Sequence, residues 1–165
     1  MRTVLAMLLT AALTVNVLVA AAAPRPAVNV RQRLVELNGY VRAETGYKST
    51  ALPKIVYRTN HQLAAMLHTT PCDPKDATVP CVLAAHSNGV VFLMDRFTFG
   101  RDDDILVHEL THFQQFESGK KMPRCEAEAE AYRTQQAFIT EAGISGNMPG
   151  KLLLFMLTSC ADYGG

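Results

Sequence analysis

The sequence predicts a small α+β domain, with about three short strands in one sheet and several helices packed against it. Three observations carry this. Residues 82–86 and 90–94 are β-rich runs joined around Ser87-Asn88-Gly89, and Asn-Gly between two such runs is a hairpin signal. Val30, Leu34, Leu37 and Val41 fall at i, i+4, i+7 and i+11, the spacing of one helix face. Residues 124–142 are rich in alanine and glutamate, both strong helix formers. A chain of 165 residues, 48% hydrophobic and with a formal net charge of +1, fits one globular domain. Without charge runs or aromatic-basic interleaving, it gives no sign of a nucleic-acid partner.

Residues 1–23 read as a signal peptide, leaving 24–165 as the domain. Met1-Arg2 gives a positive start, residues 4–19 are almost all apolar, and Ala20-Ala21-Ala22-Ala23 offers small residues for cleavage. This implies a secreted or periplasmic protein with no stable membrane insertion once the segment is removed. The alternative is an uncleaved N-terminal anchor, because the apolar stretch approaches spanning length.

A first helix is expected over about 28–44, stopped by Gly46. Residues 54–58 form a β-rich run after Pro53. Thr59 or Asn60 can cap a second helix over 62–68, with Leu63, Met66 and Leu67 inward. His61 and His68 stand at its ends and read as exposed. The hairpin follows, with His86 beside its turn and read as a surface histidine. A helix is expected over about 102–117, opened by Asp102-Asp103-Asp104 as capping and first-turn residues. Ser118-Gly119-Lys120-Lys121-Met122-Pro123 is a solvated turn with a helix stop and restart. The alanine-glutamate helix then runs over about 124–142. A loop at 143–150 leads to a short, thoroughly apolar helix over 151–160, too short to span a bilayer and read as buried core.

Four cysteines in an exported chain suggest two disulfides. Three pairings are possible. Cys72 and Cys81 flank one loop, so a local bridge is the simplest assignment, and it leaves Cys125 with Cys160.

The chemistry centres on His108-Glu109-Leu110-Thr111-His112. On a helix, His108 and His112 at i and i+4 share a face and can hold one metal ion. Glu109, turned about 100° from His108, reaches the region beside it. Two imidazoles and an adjacent carboxylate are what metal-assisted hydrolysis needs: ligands, and a general base for water. A catalytic zinc usually takes a third protein ligand. The next helix offers Glu126, Glu128 and Glu130, and a tight turn should fold it back antiparallel. His112 lies about 9 Å along the axis from the turn. At that depth Glu128 is near and Glu130 about level, so axial distance does not separate them.

These residues carry a resemblance. His108 to Tyr132 resembles a gluzincin metallopeptidase, in which a glutamate from a later helix completes the zinc site. Glu128-Ala129-Glu130-Ala131-Tyr132 matches the family's Glu-x-x-Ala pattern, which often continues into Asp or Tyr, with Glu128 in the ligand position. The small size, single sheet and few helices resemble the minimal, minigluzincin type, over roughly residues 55–135. The resemblance implies a zincin-like fold, Zn²⁺ held by His108, His112 and Glu128, Glu109 as general base, and a peptide or protein substrate. Tyr132 stands where some relatives carry Asp. It is a candidate for orienting a ligand or aiding an oxyanion, set against simple packing between helices. The alternative function is a metallopeptidase-like zinc-binding or latent protein without turnover, since a short chain leaves little room for a cleft.

Overall fold

A computed structural model describes residues 28–73 and 81–144. Within them the order is α1 (Val30–Thr45), β1 (Lys54–Arg58), α2 (Asn60–Met66), β2 (Ala84–Ser87), β3 (Val90–Met94), α3 (Asp103–Glu117) and α4 (Arg124–Ala142). This is a small α+β domain with four helices and one mixed three-stranded sheet. The predicted leader, the helix over 151–160 and Cys160 lie outside the described residues.

The sheet order is β1-β3-β2. β2 and β3 form the expected hairpin, with Ser87 opposite Val90. Its two-residue turn places Asn88 and Gly89 at φ 48° and 77°. Two positive φ values are what a type I′ turn requires, and Asn-Gly tolerates them best. β1 pairs with β3 in parallel, Lys54 opposite Val90. The parallel partners are not consecutive: α2 and β2 lie between them in the chain, and the antiparallel run of β2 returns the chain to the start of β3. β2 is therefore an edge strand.

Alternation along the strands divides the core in two. Val91 and Leu93 face α1 and α3, joining Leu34, Leu37, Val41, Leu106, Val107 and Leu110. Ala85 and Met94 face α2 and pack with Leu63 and Cys72. The Cys72–Cys81 disulfide ties down this second side, as the loop spacing predicts. Cys125 is not a free thiol. Its predicted pairing with Cys160 lies outside the described residues.

Three expectations are corrected. α2 is shifted two residues towards the N-terminus of the expected 62–68, because Thr59 and Gln62 close a capping box. Only Leu63 and Ala64 are buried in it, while Met66 and Leu67 are exposed at 38% and 37%. β2 begins at Ala84 rather than Val82. Finally, Asp102 occupies the cap position of α3 without capping it. Its carboxylate accepts the Thr98 N–H at 2.8 Å and pairs with Arg101. Asp103 accepts the Gly100 N–H and pairs with Arg33 of α1 at 2.6 Å. Asp104 accepts from Gln135 of α4 at 3.1 Å. All three aspartates are buried. They anchor the start of α3 to the loop before it and to both neighbouring helices.

Candidate metal centre

α3 runs through the middle of the domain and is buried at eleven positions, including His108, Glu109 and Thr111. α4 returns antiparallel beside it. Gln115 near the end of α3 bonds the start of α4, and Asp104 near the beginning of α3 bonds Gln135 further along it. That geometry brings Glu128 to the two histidines.

His108 Nε2 and His112 Nε2 are 3.1 Å apart. Glu128 Oε2 lies 3.4 Å from the first and 3.5 Å from the second. These three residues form a cluster that could hold a metal ion, with one ligand atom from each. Glu130 is turned away. Its Oε2 accepts from Tyr47 Oη at 2.7 Å and from Gln115 Nε2 at 2.9 Å. The ambiguity left by axial distance is resolved by rotation: Glu128 faces the histidines and Glu130 faces the loop after α1.

Glu130 nonetheless bears on the cluster. Gln115 Nε2 donates to both Ala127 O and Glu130 Oε2, at 3.0 and 2.9 Å. Both amide hydrogens are thereby spent, so Gln115 Oε1 must be the atom 2.8 Å from His112 Nδ1. His112 Nδ1 therefore carries the proton and donates. In the neutral ring, Nε2 is then a bare lone pair aimed at His108 and Glu128. Sequence reasoning missed Gln115 as part of the site. Its one legible signal is that it lies at i+3 from His112. His108 Nδ1 is buried and has no hydrogen-bond partner among the described residues.

The electrostatics follow from burial and crowding. Burial by itself raises the Glu128 carboxyl, but the two imidazoles beside it outweigh this and hold it well below the usual carboxylate range. Glu109 is driven the other way. Burial raises it, more than the neighbouring histidines and the His86 N–H lower it. Two carboxylates on neighbouring helices, Glu128 and Glu109, thus diverge, one held as an anion and one with raised basicity. Burial opposes a charged His112, yet Glu128, Glu109 and Gln115 raise it overall.

Tyr132 packs its ring 4.3 Å from that of His108, and burial pushes its hydroxyl up to about 12. It both lines the cleft and packs against a candidate ligand. His86 is half-buried rather than a surface residue. Its ring stands edge-on to Phe113 and tilted to Phe116, and its Nε2 accepts the Gly89 N–H at 3.2 Å. Burial depresses it to about 4, with His112 adding to the effect, so it is neutral near pH 7. His61 and His68 are exposed, as expected, and outside the cluster.

The cluster opens into a cleft of about 1010 Å³. One wall is the edge strand β2. Leu83 accepts the Met94 N–H across the sheet, so by antiparallel alternation Ala84 and His86 direct their peptide groups outward. The backbone of His86 lies near Glu109 and slightly lowers its carboxyl, the smallest of the effects acting on it.

A half-buried cluster of two imidazoles and a carboxylate, with a second carboxylate beside it, defines a metal-binding candidate on a small α+β domain. The chain belongs to the family described as "Domain of unknown function (DUF6647)", whose model matches residues 26–163. No curated protein and no solved structure matches the chain.

Proposed function

We propose that the chain is an exported, zinc-dependent metallopeptidase of the gluzincin type, with a minimal zincin-like fold. The observation that carries this is the spacing of the three donor atoms. Zinc bonds of about 2.0–2.1 Å in tetrahedral geometry place neighbouring ligand atoms about 3.3 Å apart. The separations here are 3.1, 3.4 and 3.5 Å. The donor set also suits zinc in kind, and three protein ligands leave a fourth position open.

When bound, zinc would acidify water and polarise a carbonyl. The remaining steps belong to the chain. Glu109, desolvated and of raised basicity, takes the proton of the attacking water and returns it to the leaving amine. Gln115 keeps the His112 lone pair turned inward. An extended peptide can align along β2 through the outward peptide group of Ala84, by strand addition. A cleft of about 1010 Å³ supports turnover over a latent protein, since it gives a peptide room despite the short chain. Export is supported by the Cys72–Cys81 disulfide, which persists in oxidising compartments. No described helix is long and apolar enough to cross a membrane.

Metal analysis of the purified protein should give about one zinc per chain. His108→Ala should lose it. Glu109→Gln should keep the zinc while peptide hydrolysis falls by about 10²–10⁴-fold. Zinc retained by the His108 variant would remove the ligand assignment. Undiminished hydrolysis by the Glu109 variant would remove the base.

A further inference from the structure

The cleft has a chemical bias that the metal cluster does not explain. Its rim at the α3–α4 turn carries Lys120 and Arg124. Both are exposed, and neither forms an ion pair among the described residues. Arg124 lies four residues before Glu128 on α4, hence on the same face and about 6 Å along the axis. Its guanidinium can therefore reach a group bound one residue away from the metal position. The acidic side chains lining the cleft, Glu109 and Glu128, are both engaged with the histidines. His86 contributes no charge.

The rest of the lining is largely apolar and unusually exposed. Phe116 is 49% exposed, and Val82 and Leu67 are each 37% exposed. Phe116 is nevertheless held in place. It stands 5.8 Å from the His86 ring, and a Cβ on Gly89 would meet it at 3.3 Å. A fixed aromatic surface beside two unpaired cations is complementary to a ligand that is apolar and anionic at neighbouring positions.

We infer that the cleft selects peptides presenting a carboxylate to Arg124 and Lys120 beside a bulky apolar residue seated on Phe116. This rests on the peptidase reading and names its substrate class. The carboxylate can come from an acidic side chain or from the chain's own C-terminus, and both would meet the same two cations. Arg124 and Lys120 act on specificity, not on the chemical step.

Binding tests this separately from turnover. The probe is a fluorescein-labelled Ala-Phe-Leu-Glu peptide and its glutamine counterpart, each with a free or an amidated C-terminus. Anisotropy is read on the zinc-loaded Glu109→Gln protein, which holds substrate without cleaving it. A charge-assisted contact should make the anionic member of a pair bind about tenfold tighter. The preference should weaken with salt and vanish or invert in the Lys120→Glu, Arg124→Glu variant. Both positions are exposed, and an acid in the first turn of α4 suits its dipole, so the variant should fold. Dependence on glutamate assigns an acidic side chain. Dependence on the free terminus assigns the α-carboxylate. Equal binding of all four peptides, undetectable binding included, overturns the inference, as does a preference that survives charge reversal. Hydrolysis by the wild type without any such preference would sink this inference and leave the peptidase reading standing. The preference in binding with no hydrolysis by the wild type would do the reverse.

Discussion

His86 shows how one side chain can belong to both the fold and the site. It lines the cleft, and its ring fills the space between the hairpin and Phe113 and Phe116 of α3. That space favours the neutral imidazole, so the folded-state pKa falls to about 4. The unfolded value is about 6.5. Between these values the unfolded chain binds more protons than the folded one, and stability must rise with pH. The contribution is fully present above about 6.5 and is lost as pH falls towards about 4. His112 works in the opposite sense, because its folded-state value is raised in the metal-free protein. The two effects are separated by comparing variants. In metal-free protein, the urea midpoint should fall more steeply in wild type than in His86→Gln as pH drops from about 7 to about 4.5. Parallel curves would mean that the ring protonates without cost to the fold.

Between elements, the pairing of α3 with α4 decides whether the candidate metal cluster can form. Glu128 supplies the third donor, but the register that puts it there is fixed by Gln115, which bonds Ala127 O and Glu130. Glu130 is in turn held by Tyr47, 83 residues earlier in the chain. Replacing Gln115 with leucine frees the His112 tautomer and removes both bonds to α4. If the cluster holds zinc as proposed, zinc affinity should fall by about 10–100-fold, the usual cost of removing an outer partner of a metal-bound histidine. Competition against a calibrated chelator measures this, and an unchanged affinity would show that Glu128 and the histidines hold their geometry alone. The same pairing marks what the sequence reveals and what it hides. Local signals located the elements well: the hairpin from Asn88-Gly89, β1 from its β-rich run, and α4 from its alanine-glutamate composition. The histidines and Glu109 were legible because one helix fixes their spacing. Glu128 and Glu130 were not separable by depth, since they differ by only about 3 Å along the axis. Their difference is angular, and it shows only once Tyr47 is brought alongside. The parallel β1–β3 pairing was hidden for the same reason, because no local residue specifies a partner more than 30 positions away. Lys120 was legible as exposed, but not as the rim of a cleft.

At the scale of the molecule, α3 is a wall shared by two tasks, and adjacent residues on it are assigned to different ones. Gln115 faces α4 and the histidines. Gln114 faces the opposite side, towards α1. It is fully buried, and its Nε2 donates to Asn38 Oδ1 at 2.8 Å and to Ser49 O at 3.0 Å. Asn38 itself donates to Ala51 O at 3.0 Å. These bonds fasten α1 and the segment after it to the back of the helix. The network has no reserve, because Gln114 Oε1 is already buried without a partner among the described residues. Asn38→Ala strands one buried Gln114 N–H and removes the bond to Ala51 O. Each unpaired group of this kind costs about 1–3 kcal/mol. The variant should therefore lose stability on that scale in urea titrations. Its zinc affinity, measured below the unfolding transition, should match wild type, because Gln115, Glu130 and the three donors keep their partners. A matching loss of zinc affinity in the folded variant would mean that the two faces of α3 are mechanically coupled and that α1 helps to set the metal geometry.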